Sequence, residues 1–117
     1  MKVSELVRAL TSAEFEREVL QAEGLVLVDF WAAWCPPCRR LAPTVEALAA
    51  DYQGRLSVAK VDVDGSPELA ERYGIQSIPT LILFRDGRPV DKRLGALPKD
   101  DLQQFVDAQL VAAPTVA

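Results

Sequence analysis

The chain has 117 residues, about the length of one domain, and half of its residues are hydrophobic. Its formal net charge is −4 and its longest basic run is Arg39-Arg40, which argues against nucleic acid as a main partner because phosphate binding needs clustered Lys and Arg. The absence of histidine excludes Cys-His catalysis and histidine-based metal sites. No stretch approaches the ~20 apolar residues of a membrane span, so we expect no membrane attachment.

The N-terminal segment is interrupted by charges at Lys2, Glu5 and Arg8, unlike a secretory signal peptide. For a complete chain we therefore expect a cytoplasmic location, where a cysteine pair is more often catalytic or metal-binding than structural. The two cysteines, Cys35 and Cys38, lie three positions apart. A bridge across so short a loop removes little entropy from the unfolded chain, so stability is a weak reason for it.

Helices and strands are predicted to alternate along the chain as far as a hairpin of two strands that precedes the last helix. In order, they are a helix over 11–24, a strand over 25–30, a helix over 36–50, a strand over 56–63, a short helix over 66–74, strands over 80–84 and 90–94, and a last helix with an apolar stripe at Leu102, Phe105, Val106 and Leu110. The strand, helix and strand within 25–63 form a βαβ unit, which requires parallel strands. We therefore predict an α/β protein with a central mixed β-sheet flanked by helices on both faces, as a single domain over 1–111 with a frayed tail over 112–117.

Local signals mark the ends of these elements. Thr11-Ser12-Ala13-Glu14 has the capping-box pattern that begins a helix. Trp31–Trp34 is expected to be a loop, and Pro36-Pro37 suits the helix start that follows, since proline has no N–H to leave unpaired there. Pro43 lies inside that helix and should kink it. Asp86-Gly87 between the last two strands indicates a hairpin.

The cysteine pair occupies positions i and i+3 of a first helical turn. Such neighbours have Cβ atoms ~5–6 Å apart and a disulfide needs ~3.5–4.5 Å, so the bridge can close with a small local adjustment and reopen without unfolding. The helix N-terminus stabilises a thiolate, most strongly at the cysteine nearest to it. We predict Cys35 as the nucleophile and Cys38 as the resolving thiol. A small structural bridge, or half of a zinc or copper site completed by a partner chain, remains an alternative.

The segment Trp34-Cys35-Pro36-Pro37-Cys38, preceded by Val28-Asp29-Phe30-Trp31-Ala32, resembles the active site of the thioredoxin family. The resemblance covers nearly the whole chain and extends to Pro43, Lys60, Ile78-Pro79-Thr80, Asp86-Gly87 and Gly95-Ala96. It implies the thioredoxin fold and a protein-disulfide reductase that acts on disulfide-containing proteins, is regenerated by a thioredoxin reductase and binds no cofactor. We also expect a monomer.

One position departs from the family motif. Pro36 stands where a glycine is usual, so that among residues 36–38 only Cys38 has an N–H that can reach the Cys35 sulfur. We expect the function to survive this change. Pro36 and Pro37 are therefore candidates for tuning the redox potential.

The resemblance also assigns roles to residues outside the motif. Asp29, in an otherwise apolar strand, would keep a raised pKa and exchange a proton with Cys38; the alternative is an Asp bonded by backbone at a strand end. Lys60 would be the partner of Asp29, or else a surface lysine whose stem covers apolar residues. Pro79, after Ile78, would be a cis proline that faces the cysteines.

The remaining candidates concern substrate binding. Trp34 would shield the dithiol and bind substrate together with Ile78 and Pro79, while Trp31 fits a core position equally well. Gly95 and Ala96 would form a low rim for an extended substrate peptide, or an ordinary loop.

Two other functions fit the same fold. One is a binding subunit or chaperone-like module without essential turnover, and the other is a disulfide oxidant or isomerase. Homologous disulfide-forming enzymes often carry a His between the cysteines, and this chain has none. The sequence therefore favours the reductase.

Overall fold

The computed structural model describes residues 3–111, so the predicted tail over 112–117 lies outside the described residues. In chain order the elements are a 3₁₀ turn (Val3–Leu6), β1 (Val7–Ala9), α1 (Ser12–Phe15) continued by a π-helix (Glu16–Leu20), β2 (Leu25–Trp31), α2 (Pro36–Asp51), β3 (Leu56–Asp62), α3 (Pro67–Arg72), β4 (Thr80–Arg85), β5 (Arg88–Leu94) and α4 (Lys99–Val111). The strands form one sheet in the order β1-β3-β2-β4-β5. β1, β3 and β2 are parallel, β4 is antiparallel to β2, and β5 is antiparallel to β4, which confirms the predicted mixed sheet.

The sheet separates two apolar layers. In β2, Leu25 and Leu27 pack in the layer of α2 and α4, whereas Val26, Val28 and Phe30 pack in the layer of α1 and α3. This alternation follows from the two-residue period of a strand. Residues 25–30 are all buried, because helices cover both faces of this central strand. The prediction of helices on both faces is therefore confirmed.

The N-terminal third differs from the prediction in three places. Val7–Ala9 form an edge strand that the sequence analysis missed, since three residues are too few to show a period. The first helix ends at Leu20 rather than at Gly24. A hydrogen bond from the Gln21 N–H to the Glu16 carbonyl closes a π-turn at this end. Trp31, expected in a loop, is instead the last residue of β2 because it pairs with Asp62 of β3.

The later elements match the prediction within a few residues. Asp86 (φ 51°) and Gly87 (φ 83°) make a two-residue turn, and β5 begins directly after it at Arg88, two residues before the predicted start. α2 continues through Pro43, and the kink expected there stays a prediction. Within residues 3–111, the helices are too short or too polar to cross a membrane.

Candidate active site

The cysteines lie where the central strand feeds into the longest helix. β2 ends at Trp31, the chain turns over the next three residues, and Cys35 is the N-cap of α2 with extended backbone (φ −93°, ψ 108°). Pro36 and Pro37 form the start of the helix, as predicted. Cys35 and Cys38 are joined by a disulfide with their Cα atoms 5.3 Å apart. The pair is thus closed within one turn of helix.

A single backbone hydrogen bond distinguishes the two sulfurs. The Cys38 N–H donates to Sγ of Cys35 at 3.2 Å. The two intervening prolines have no N–H, so this is the one donor expected among residues 36–38. Both cysteines are buried, at 3% and 2% exposure, so accessibility does not separate them. The two cysteines differ in their position relative to the positive end of the α2 dipole. Cys35 lies at that end, which favours a thiolate on Cys35 in the reduced protein.

Two loops from the other half of the sheet close the site. The Ile78–Pro79 bond is cis, as the resemblance implies, and the Ile78 carbonyl oxygen lies 3.8 Å from Sγ of Cys35. The Gly95 N–H donates to the Pro79 carbonyl at 2.9 Å, which ties the loop after β5 to the loop before β4. Ala96 is exposed beside Gly95. The structure therefore brings these loops together, while the role of Gly95 and Ala96 as a substrate rim stays a prediction.

Trp34 is the most exposed aromatic residue at this edge, with 64% of its surface accessible. Its Nε1–H donates to Oδ2 of Asp64 at 2.6 Å, and the Asp64 N–H in turn donates to Oδ1 of Asp62 at 2.9 Å. No motif in the sequence marks Asp64, although its place just after β3 puts it at the same edge of the sheet as the cysteines. The loop after β3 therefore holds the indole while leaving its faces open.

Asp29 lies inside β2, between Lys60 of β3 and Leu81 of β4. The strand alternation puts its side chain on the face of Leu25 and Leu27, toward α2. It is 4% exposed, and its Oδ1 has no hydrogen-bond partner. Burial raises the pKa of the carboxyl to about 7, while the charge of Lys60 acts to lower it. The alternative of a backbone-bonded Asp at a strand end is therefore wrong.

Lys60 is half-buried and contacts an aromatic ring. Its Nζ lies 4.8 Å from the centroid of the Trp31 ring, a cation–π distance. Lys60 pairs directly with Asp29, and Trp31 lies two residues after Asp29 in β2. The side chains of all three are therefore on the same face of the sheet. Trp31 is thus more than a core residue, since it also contacts Lys60, the cation that lowers the pKa of Asp29.

The described residues assemble the parts of a dithiol exchange site. They provide a closed disulfide whose N-terminal sulfur accepts a helix N–H, and a buried carboxyl that titrates near neutral pH on the side facing that helix. An exposed Trp34 and the loops at Ile78 and Gly95 surround the sulfurs. This arrangement can accept an electron pair into the disulfide and return it from the dithiol.

Comparison with known proteins gives one consistent result. The family model described as thioredoxin matches residues 6–108. A thioredoxin of Pseudomonas aeruginosa is 45% identical over 108 residues, which cover 92% of this chain and 100% of that protein. A thioredoxin of Staphylococcus aureus is 50% identical over 101 residues, which cover 86% of this chain and 95% of that protein.

Proposed function

Because the chain belongs to the thioredoxin family, we propose that Cys35 is the attacking thiol of its exchange reaction and Cys38 the resolving thiol. The protein has the thioredoxin fold and is a thiol–disulfide oxidoreductase with protein-disulfide reductase activity. The observation that carries the assignment is the hydrogen bond from the Cys38 N–H to Sγ of Cys35. It supports Cys35 because a thiolate at the N-cap of α2 receives both this bond and the field of the helix end.

The exchange proceeds in two displacements. The Cys35 thiolate attacks one sulfur of a substrate disulfide, the substrate S–S bond breaks, and the other substrate sulfur leaves as a thiolate. Cys38, as its thiolate, then attacks Sγ of Cys35 and releases the second substrate sulfur. The substrate gains two electrons and, with two protons, becomes a dithiol. The protein loses the same two electrons and is left with the Cys35–Cys38 disulfide.

Asp29 is the proposed proton acceptor for Cys38. Support comes from its unpartnered Oδ1, its position facing α2 and a pKa of about 7, at which both carboxyl forms are populated in neutral solution. Lys60 would set this balance, since its charge opposes the effect of burial on the carboxyl. The two residues thus act on the second displacement rather than on the first.

The loops around the sulfurs are the proposed substrate-binding surface. Trp34 offers an open apolar face, and Ile78 and Pro79 place backbone beside Sγ of Cys35. Gly95 and Ala96 would leave room for an extended substrate segment. Within the motif itself, Pro36 and Pro37 would tune the redox potential by withholding two N–H groups from the Cys35 sulfur.

Members of the thioredoxin family act on disulfide substrates and are in general reduced by a thioredoxin reductase. For this chain we propose the same cycle, carried out by a cytoplasmic monomer whose single domain spans residues 1–111. The family match over residues 6–108 supports the domain.

Serine variants of the cysteines test the assignment. Cys35→Ser should abolish reduction of insulin disulfides, because no thiolate remains at the N-cap. Cys38→Ser should still attack but should stop at the mixed disulfide, which intact-mass spectrometry would detect on Cys35 after incubation with a disulfide substrate. A stable adduct on Cys38 in the Cys35→Ser variant, at the rate seen for Cys35, would reverse the two roles.

A further inference from the structure

Trp31 contacts both the cysteine cluster and a cation. Its side chain packs against the small cluster formed by Ala32, Cys35 and Cys38. On the ring itself lies the ammonium of Lys60, with Nζ 4.8 Å from the ring centroid, a distance at which the negative face of an indole attracts a cation. Trp31 and Lys60 are both half-buried, so this attraction is partly shielded from water and gains strength from that shielding.

The sheet fixes the place of the Trp31 ring. Trp31 is the last residue of β2 and is paired with Asp62 of β3. Its carbonyl accepts the Val63 N–H at 2.9 Å, which extends the pairing of the two strands by one more bond. The ring therefore has a position of its own, set by backbone pairing and by packing on the cysteine cluster, to which the flexible lysine side chain can attach.

The Lys60 side chain runs from Asp29 toward Trp31. In register Lys60 lies opposite Asp29, and Trp31 lies two residues further along β2, which is ~6.6 Å along the strand. Lys60 forms no salt bridge with Asp29 within the described part of the chain, where the pairs are Arg8–Glu18, Arg93–Asp91 and Lys99–Asp51. The charge of Lys60 therefore acts on the carboxyl through space, from a place that the ring sets.

We propose that Trp31 is a positioning residue of the exchange reaction: its ring holds the Lys60 ammonium next to Asp29, so that Asp29 is available as a carboxylate to take the proton of Cys38. This proposal rests on the proposed function, in which Asp29 accepts that proton and the Cys38 thiolate then attacks Sγ of Cys35. Trp31 touches neither proton nor substrate in this role, and it acts through Lys60 alone.

The ring is needed because a lysine side chain tends to extend until its ammonium is in water. An ammonium in water is screened by the high dielectric constant of the solvent, and its effect on a buried carboxyl is small. Asp29 is only 4% exposed, so it cannot follow the charge outward. Loss of the Trp31 ring should therefore move the Lys60 charge away from Asp29 and make the carboxylate less favourable.

Lys60 is the cation that opposes the effect of burial on Asp29. From β3, Asp62 lies on the same face but opposite Trp31, and its Oδ1 accepts the Asp64 N–H at 2.9 Å. From β4, the residue paired with Asp29 is the neutral Leu81. The other charged residues on the elements around this face are exposed or half-buried, and they are Glu5, Arg8, Arg39, Arg40, Glu46, Asp51, Arg85, Asp91, Arg93, Lys99, Asp100, Asp101 and Asp107. The cysteines do not titrate while they are bridged.

A double-mutant cycle on the oxidised protein tests the placement of Lys60. The Asp29 pKa is measured by NMR of the aspartate carboxyl carbons in wild type, Trp31→Leu, Lys60→Gln and the double variant, and Asp29→Asn identifies the signal. We expect Trp31→Leu to raise the Asp29 pKa by about 0.5 when Lys60 is present, and we expect no such rise in the Lys60→Gln background. Lys92→Gln removes an exposed lysine of β5 and should leave the Asp29 pKa as it is in wild type.

Two further proteins separate the attraction of the ring from its packing. Trp31→Phe keeps an aromatic face and should hold the Asp29 pKa close to that of wild type. Fluorinated tryptophan, incorporated at both tryptophans, keeps the shape of the ring but weakens the negative potential of its face. The fluorinated protein retains its packing and should still show a raised Asp29 pKa, which also covers the case in which Trp31→Leu does not fold.

The second displacement should show the same order among the variants. Reduced protein is mixed with an aromatic disulfide whose thiolate product absorbs visible light, and stopped-flow absorbance separates the two displacements. In Trp31→Leu the pH midpoint of the second displacement should rise by as much as the Asp29 pKa, whereas Trp31→Phe should keep it near that of wild type. The first displacement, in which Asp29 takes no part, normalises the rates of each variant.

Three results would overturn the proposal. They are an equal change of the Asp29 pKa with and without Lys60, an Asp29 pKa that stays put or falls when the ring is lost or fluorinated, and an equal slowing of both displacements with no change of midpoint. Failure of the proposed function gives a different result: if Asp29→Asn leaves the second displacement unchanged, Asp29 is not the proton acceptor of Cys38. The titration of the oxidised protein needs no exchange chemistry and still decides whether Trp31 holds Lys60 beside Asp29.

Discussion

Asp29 lies inside the sheet on the side that faces α2, and its Oδ1 has no hydrogen-bond partner. A buried carboxyl with so little compensation resists ionisation, which is why its pKa is raised to about 7. The same property that would let it accept a proton near neutral pH destabilises the fold once it ionises. Function and stability are therefore in conflict at this side chain.

We expect Asp29→Asn to change how stability depends on pH. An acid whose folded pKa lies above its unfolded value holds its proton longer in the folded state, so the free energy of unfolding falls as pH rises between those two values. For Asp29 the window runs from the ordinary carboxyl pKa of 3.8 to the folded pKa of about 7, and the loss across it is on the order of 4 kcal/mol. Asparagine cannot ionise, so the variant should be the more stable protein at pH 8 and should reduce substrate more slowly near neutral pH.

Denaturant unfolding of the oxidised protein at pH 4, 6 and 8 measures this effect without interference from thiol ionisation. The difference in unfolding free energy between variant and wild type should grow across the series. Asp101→Asn, an exposed change in the first turn of α4, controls for the loss of one carboxylate and should leave the pH profile parallel to that of wild type. A constant difference for Asp29→Asn would contradict a raised pKa.

Pro36 sets how many N–H groups face the Cys35 sulfur. Pro36→Gly should lower the free energy of unfolding by ~0.4–1 kcal/mol through the entropy of the unfolded chain. It should also restore an N–H near Sγ of Cys35, lower the pKa of that thiol and make the pair slightly more oxidising. Thiolate absorbance against pH and a glutathione redox titration measure the two effects.

The matched control for Pro36 is at the start of another helix. Pro67 occupies the first turn of α3, so Pro67→Gly should have a similar entropic cost without changing the thiol. If the Cys35 pKa does not fall in Pro36→Gly, the missing N–H is not what sets the reactivity of this cysteine.

The hairpin between β4 and β5 packs closely on the end of the first helical segment. The Gly24 N–H donates to Oδ1 of Asp86 at 2.7 Å, and a Cβ placed on Gly87 would overlap the carbonyl oxygen of Leu20. Gly87 also has φ +83°, which side chains rarely adopt. Glycine is thus required at this position both for its backbone angle and for its lack of a side chain.

Gly87→Ala should therefore cost more than the same change at an open glycine. We expect a loss of ~2–5 kcal/mol in unfolding free energy, from the left-handed backbone and the overlap together. Gly54→Ala is the control, since Gly54 has φ +88° and no atom within 4 Å of its added Cβ, and it should lose only ~1–2 kcal/mol. Equal losses in urea unfolding would show that the hairpin moves away from Leu20 without cost.

The elements found from sequence are those with a period or a terminal signal. The segment 25–30, apolar at five of its six positions, predicts β2, and Pro36-Pro37 predicts the start of α2. β1 was missed because Val7–Ala9 is recognisable only by its pairing with β3, which lies some fifty residues away. Likewise, the Lys60–Trp31 contact and the Trp34–Asp64 hydrogen bond depend on how separate strands align, and no local pattern encodes that alignment.

The two apolar layers hold the fold on both sides of the sheet. The bridged residues Cys35 and Cys38 belong to neither layer and form a third small cluster with Ala32. Because the bridge spans a separation of 3 residues, it restricts very little of the unfolded chain. The stability of the whole molecule should therefore depend little on its redox state.

Reduction should leave the protein folded and lower its unfolding free energy by at most ~2 kcal/mol, the entropy of so small a loop. Parallel denaturant melts of oxidised protein, reduced protein and the Cys35→Ser, Cys38→Ser double variant measure this. The reduced protein and the double variant should unfold at similar denaturant concentrations. Loss of cooperative unfolding on reduction would contradict a fold that is independent of its bridge.

The bond from Gly95 to the Pro79 carbonyl, together with the alignment of β4 on β2, fixes the rim of the site to strands that do not include the bridge. Opening the disulfide therefore leaves most of the surrounding surface unchanged. Proteins that bind the oxidised form and proteins that bind the reduced form would then dock on nearly the same surface and compete for it. The two states would differ in whether the sulfurs can complete an exchange. Electron donors and electron acceptors would therefore be distinguished by their reactivity after docking and not by the shape of the surface on which they dock.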